Sequence, residues 1–434
     1  MFCVTPFLRR FRRLALVASI PTALLLSGCW LDGNQSTFDT KGPVARSQLE
    51  VFHVTWYVTL AIFVLVGLVL AFATLRFRVR HNADKSAEPP VQGHGNPLVE
   101  FGLILASVAC LAVIAVPTLR AIWFTYDVPA AEQANALVVT ATGNQWWFKF
   151  EYPTIPAAGG GGAQTPLVTG NELVIPAGRA VRVNLRTADV MHSFWVPKLA
   201  GKVDMVPNRG NHIWLKADEP GYHFGQCAEF CGESHAVMRF RVIALAPADF
   251  DAWVARQTQT AGAANAIGMT TREGADRRAV RSPGGPGGPA LPPEPGVAPA
   301  TRTKFTGAAG TTYGEFDGDL FAYWRRQQES AAPADAALLA RGRQLFTTKT
   351  CVGCHTVRGH EGVGVTAPDL THFASRTTIA AGLVDNTDAN LRVWLTRPLA
   401  VKPGNKMAKG FVDNHVTLDS AETDALVTYL RSLN

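Results

Sequence analysis

Hydrophobic and polar positions divide this chain into successive regimes. Leu14 to Leu26 is a short apolar core behind Arg9, Arg10, Arg12 and Arg13, the pattern of an export signal over residues 1–28. Val51 to Leu75 carries no Asp, Glu, Lys or Arg, and Leu98 to Trp123 carries only Glu100 near its start and Arg120 near its end. Both runs exceed the ~20 residues that span a bilayer, so the pattern predicts a transmembrane helical hairpin. From Ala136 the period falls to two. Leu137–Thr140, Glu172–Ile175, Val181–Leu185, His212–Leu215 and Arg239–Ala246 read as strands, and their Gly/Pro turns suggest a β-sandwich. Ala157 to Thr165 reads as a Gly-rich hairpin insertion. Pro247–Arg256, Leu338–Phe346 and Ala421–Leu433 return to helical spacing. Between Thr258 and Ala331 neither period holds. Pro-Gly repeats there cannot build a core and read as a tether, with the aromatics of Phe316–Arg326 available to pack on a neighbouring domain.

The chain thus divides into a leader (1–28), an N-terminal segment with the membrane hairpin (29–130, spans about 51–75 and 98–123), a sandwich (131–257), a linker (258–331) and a helical domain (332–434). Arg76, Arg78, Arg80 and Lys85 lie between the two spans, which keeps that loop in the cytoplasm and puts both flanks outside. Leu26-Ser27-Gly28-Cys29 resembles the bacterial lipoprotein cleavage box, in which the cysteine is acylated. An ordinary signal with a chance cysteine is the plainer alternative. Net charge is +7; the leader holds four arginines, so the mature chain carries 7 − 4 = +3, too little to argue for nucleic acid. The seven cysteines fall at Cys3 and Cys29 in the leader, Cys110 in an apolar run, and two close pairs, leaving none for a disulfide framework.

The first pair carries the chemistry. Gly-Gln-Cys227-Ala-Glu229-Phe-Cys231-Gly-Glu-Ser-His235-Ala-Val-Met238 concentrates two thiols, an imidazole, a thioether and a carboxylate. Thiolate and thioether select copper, which imidazole also suits. Asp189-Val-Met-His192-Ser-Phe-Trp supplies a second histidine. Two sulfurs this close can bridge a pair of metals, so the reading is a dinuclear copper centre. A disulfide and a structural zinc are the competing readings. The second pair, Cys351-Val-Gly-Cys354-His355, is the c-type haem attachment motif, with His355 as one axial ligand. Met407, in Lys402-Pro-Gly-Asn-Lys-Met407, suits the opposite face, against His360, His372 and His415.

Asp-Val-Met-His192-Ser-Phe-Trp-Val-Pro, followed by the Cys227–Met238 stretch, resembles subunit II of the haem–copper cytochrome c oxidases. With the fused haem motif the resemblance is to the caa-type form, as a bacterial lipoprotein. It implies a multidomain chain: a two-helix transmembrane hairpin, a cupredoxin-like β-sandwich and an all-α class I cytochrome c domain. It implies a CuA pair held by His192, Cys227, Cys231, His235, Met238 and the Glu229 carbonyl. Quinol-oxidising relatives have lost those ligands. It further implies electron input at Trp146, within Gly143-Asn-Gln-Trp-Trp-Phe148, where the family usually has a third tryptophan in place of Phe148. Glu229 is implied to bind magnesium at the subunit I interface, with Asp204 near the same place. Glu100 is implied to stand at the mouth of a proton path, although an interfacial solvated acid is as good a reading. The expected partners are oxidase subunit I, subunit III, and a cytochrome c or quinol–cytochrome c reductase as donor. The expected place is the bacterial cytoplasmic membrane, as a multi-pass protein with both redox domains on the periplasmic face. Covalent haem c would pass electrons to the copper pair and on to subunit I, where dioxygen becomes water with proton translocation.

Overall fold

A computed structural model describes residues 33–78, 93, 95–157, 165–262, 320–328, 335–362 and 364–434. Cys29, the tip of the Gly-rich insertion and most of the linker lie outside the described residues.

The apolar runs form α1 (Pro43–Phe77) and α2 (Pro97–Tyr126), each longer than the apolar stretch that marked it. Both have apolar windows with no burial inside the protein, so their side chains need an apolar medium outside it. Among the described residues, the hairpin is tied to the sandwich at the start of α1 and the end of α2. At the start of α1, Ala45 N–H donates to Leu199 O, and Arg46 forms a bidentate pair with Asp218. At the end of α2, the Trp214 indole donates to Phe124 O at 3.0 Å. Opposite termini meet the same domain, as a down-and-up hairpin requires.

After a single turn, α3 (Ala130–Gln133), ten strands follow: β1 (Leu137–Asn144), β2 (Trp147–Pro156), β3 (Pro166–Gly170), β4 (Glu172–Pro176), β5 (Val181–Thr187), β6 (His192–Trp195), β7 (Lys202–Met205), β8 (Asn211–Leu215), β9 (Gly221–Cys227) and β10 (Arg239–Leu245). They make two five-stranded sheets, ordered β3-β2-β1-β5-β8 and β4-β10-β9-β6-β7. Leu137, Val139 and Ala141 alternate inward along β1 as the period of two demands. A ring cluster of Phe148, Phe150, Phe194 and Phe240 fills the space between the sheets, with Phe148 and Phe240 centroids 4.7 Å apart. Phe148, fully buried there, is a core ring. β2 and β3, on either side of the Gly-rich insertion, pair antiparallel. Helix α4 (Pro247–Gln257) packs Phe250 and Trp253 on the sandwich. Past the undescribed linker, α5 (Leu320–Gln327) buries Trp324 in the same core and donates its indole N–H to Glu172.

The C-terminal domain packs α6 (Ala336–Thr348) against the last helix, α10 (Ser420–Arg431). Asp335 caps α6, and Asp419 with Glu422 forms a capping box on α10. Gly342 lets the pair cross closely, since a Cβ there would stand 2.0 Å from Ala425 O. Between them run a two-stranded ribbon, β11 (Thr378–Ile379) with β12 (Val384–Asp385), and the helices α7 (Asp388–Thr396), α8 (Pro398–Val401) and α9 (Lys406–Asp413). The expected Lys402–Met407 loop is shorter than its sequence suggests. Asn405 accepts from Ala408 N–H and starts α9, so Met407 lies in a first helical turn.

Candidate functional site: two redox centres across one interface

β6 and β9 are antiparallel neighbours, with Phe194 opposite Cys227. This pairing brings His192, which opens β6, against Cys227, which ends β9. The loop then doubles back through a 3-10 turn at His235–Val237. Six donor atoms converge. Cys227 Sγ lies 3.8 Å from His192 Nδ1 and 3.3 Å from Glu229 O. Cys231 Sγ lies 3.7 Å from His235 Nδ1 and 3.8 Å from Met238 Sδ. The two sulfurs are 3.8 Å apart, nearly twice the ~2.05 Å of a disulfide, and both cysteines are free. Each sulfur therefore has its own imidazole and its own weak donor. A single tetrahedral zinc would leave Met238 and Glu229 O without a role. Two thiolates shared by two soft ions use every donor.

The electrostatics agree. The hydrogen bond from the Cys231 thiol across the gap holds Cys227 well below the usual thiol range despite burial. That thiolate, together with burial, then pushes Cys231 far up. Both sulfurs can be anionic together only beside added positive charge.

Asp189, which sequence reasoning quoted but gave no role, orients the first histidine. Its Oδ1 lies 2.9 Å from His192 Nε2, turning Nδ1 toward the sulfurs. Burial raises its carboxyl, but hydrogen bonds from His192, Gln145 N–H and Lys406 outweigh that and hold it well below the usual range. The signal was present as a carboxylate three residues before a ligand. Gly143 is required behind the ring, because a Cβ there would stand 2.7 Å from His192 Cδ2. Gln145 Nε2 and Trp146 Nε1 both donate to Cys231 O, at 2.9 and 3.0 Å, which pins the ligand loop from its other side.

The haem motif borders a cavity of about 300 Å³ lined by Cys351, Cys354, His355, Met407, Trp394 and Leu430, among others. His355 Nδ1 lies 2.8 Å from Pro368 O, which fixes the tautomer and frees Nε2 for a ligand bond. Met407 lines this cavity; His360, His372 and His415 do not. His360 is turned to Tyr429 OH at 2.7 Å, and His372 is buried under Gln257 O and Gln259 O at 3.2 Å. The chemistry of the donors fits a covalent haem with thiols, imidazole and thioether. Gln145, Trp146 and Trp147 of the sandwich line the same cavity. The two candidate centres thus share Trp146 as a wall.

The remaining expected positions lie apart. Glu100 sits exposed in the first turn of α2. Asp204, in β7, pairs with Ser193 next to His192.

Residues 137–245 match the family described as cytochrome c oxidase subunit II, periplasmic domain, and residues 339–434 match cytochrome c. Cytochrome c oxidase subunit 2 of Alkalihalophilus pseudofirmus is 30% identical over 417 residues, 94% of either chain. The subunit 2 of Bacillus subtilis is 27% identical over 98% of each. Quinol oxidase subunit 2 of Bacillus anthracis is 28% identical over 58% of this chain and 82% of its own. The periplasmic domain of subunit II of cytochrome oxidase from Bradyrhizobium japonicum, a crystal structure, is 30% identical, covering 27% of this chain and 91% of its own at TM-score 0.25. Copper and haem are the groups those two matched domains imply, and their donor residues are present here. With a relative at that identity spanning nearly its whole length, and with a cytochrome c domain at its end, the chain belongs to the cytochrome c oxidase subunit 2 family, the electron-input subunit of a haem–copper terminal oxidase.

Proposed function

We propose that this chain takes electrons from a cytochrome c-type donor at a covalent haem c and delivers them through a dinuclear CuA centre to subunit I, where dioxygen is reduced to water with proton translocation. The observation that carries this reading is Trp146, whose ring borders the haem cavity while its Nε1 donates to Cys231 O. When bound, the two groups supply one-electron carriers on either side of that indole. Cys351 and Cys354 tether the haem, and His355 and Met407 hold its iron. His192, Cys227, Cys231, His235, Met238 and Glu229 O hold the copper pair in a pocket where His192 and Met238 are fully buried. Burial and a set of six fixed donors limit reorganisation as charge passes. Glu229 is read as a magnesium ligand toward subunit I, Glu100 as the mouth of a proton path, and Cys29 as the acylated mature terminus. The hairpin crosses the membrane twice, with both redox domains on the periplasmic side and subunit III a further neighbour.

The test is flash photoreduction of the haem in the purified oxidase, with copper reduction followed in time. W146A should slow that step while both groups are retained, since Gln145 Nε2 still holds Cys231 O. Equal rates in W146A and wild type would overturn the assignment of Trp146.

A further inference from the structure

The haem domain is joined to the sandwich by a linker, yet its contact face is built unlike a transient one. Lys402, only 3% exposed, reaches out of the haem domain and donates to Trp146 O at 2.6 Å and Val237 O at 3.3 Å, and to its own domain's Ala380 O at 3.2 Å. Glu172, 7% exposed, reaches the other way. It accepts from Thr377 N–H and Thr377 Oγ1, both at 2.9 Å. Between these two, Arg241, fully buried on β10, donates to Gly382 O at 2.9 Å. A buried charge without partners is costly, so each of these groups stabilises the docked arrangement against separation only while the facing domain supplies its acceptors or donors. By contrast, the Lys406–Asp189 pair at the rim is 62% exposed on the lysine side and adds little.

We infer that Lys402 and Glu172 are reciprocal pins that latch the haem domain on the sandwich, holding the haem cavity against Trp146 as a fixed wall. The haem domain then works as a seated relay, not a carrier that swings on its tether. The inference rests on the haem-to-copper reading above. Glu172, which does not line the haem cavity, is a positioning residue that acts through the seat it holds; Lys402 lines that cavity as well as pinning the seat. A seated domain also packs over part of Trp146, which is left half-buried, and so favours delivery from an external donor to the haem.

The experiment uses the complete oxidase and follows haem-to-copper transfer after flash photoreduction, across a range of ionic strength, in wild type, K402M and E172Q. Wild type should transfer at a rate that salt does not alter, because buried contacts are poorly screened. Each variant should slow transfer by about tenfold or more, about 1.4 kcal/mol of seating free energy, and should gain a salt dependence. Copper EPR and the haem potential should be unchanged in E172Q, because Glu172 itself lines neither the haem cavity nor the cysteine site. If K402M loses its methionine-ligated haem spectrum, E172Q alone decides. Rates that match wild type and stay insensitive to salt in the undamaged variants would overturn the latch. Absence of any haem-to-copper transfer in wild type would overturn the functional reading instead.

Discussion

Replacing Asp189 isolates what a single carboxylate contributes to the copper site. It stands 2.9 Å from His192 Nε2 and accepts from Gln145 N–H at 2.8 Å, Val190 N–H at 2.9 Å and Lys406 at 3.0 Å. His192 is fully buried, so D189A leaves its Nε2–H with no acceptor, a loss of about 1–3 kcal/mol. An independent route gives the same size: losing the group that orients a ligating histidine costs ~10–100-fold in metal affinity, or about 1.4–2.7 kcal/mol. D189N keeps an acceptor for the ring and should fall between D189A and wild type. K406A removes only an exposed partner and should cost under about 1 kcal/mol. The assay is competition with a copper chelator on the purified oxidase, read by the copper EPR signal, with melting curves to exclude general unfolding. Unchanged copper retention in D189A would refute the ring-orienting role. Equal losses in K406A and D189A would show that charge pairing, not the hydrogen bond to the ring, is what matters.

Three further outcomes follow from the geometry. G143A would place a methyl 2.7 Å from the His192 ring, so it should destabilise the copper domain by about 1–3 kcal/mol and distort the copper EPR spectrum; a wild-type spectrum and melting temperature would count against it. M407L should lower the haem potential, by a shift on the order of 0.1 V within the ~0.8 V that axial ligands span, measurable by redox titration; an unchanged potential would return the ligand question to the histidines. His372 is held neutral at about 4 by burial and by the nearby Arg358. Because its folded pKa is depressed from 6.5, it contributes stability that is present above pH 6.5 and lost as pH falls toward 4. The size is about 3 kcal/mol, so H372Q should flatten the pH dependence of the haem domain's melting temperature in that window, and an unaltered pH profile would exclude His372 as its cause.

Much of this was legible because the relevant residues are local. The candidate copper donors crowd into Cys227–Met238, and only His192 comes from elsewhere, in the Asp189–Trp195 stretch. The haem attachment is five consecutive residues. Five of the ten sandwich strands advertise themselves by period and the two long helices by length, whereas β2, β3, β6, β7 and β9 were not read from the sequence, β6 and β9 because their residues do not alternate cleanly between apolar and polar. Met407 was proposed from its residue type; what the fold adds is that Met407 lines the cavity while His360, His372 and His415 do not.

What the sequence could not disclose is the seat between the domains, and the reason is chemical. Arg239 and Arg241 alternate with Phe240 and Val242 along β10, a pattern that ordinarily means one face in the core and one in water. Here the second face is covered too. All seven residues of β10 are buried, and Arg241 is taken up by Gly382 O and the Phe224 ring, 4.5 Å away. Lys402 meets only carbonyls, one of them 256 positions away in sequence. A carbonyl belongs to every residue type, so an ammonium that finds its partners among main-chain oxygens leaves no complementary residue to look for. Side-chain ligand sets write themselves into sequence, whereas side-chain to main-chain docking is written only in the fold. The interface that decides how haem and copper face each other therefore had to come from the structure.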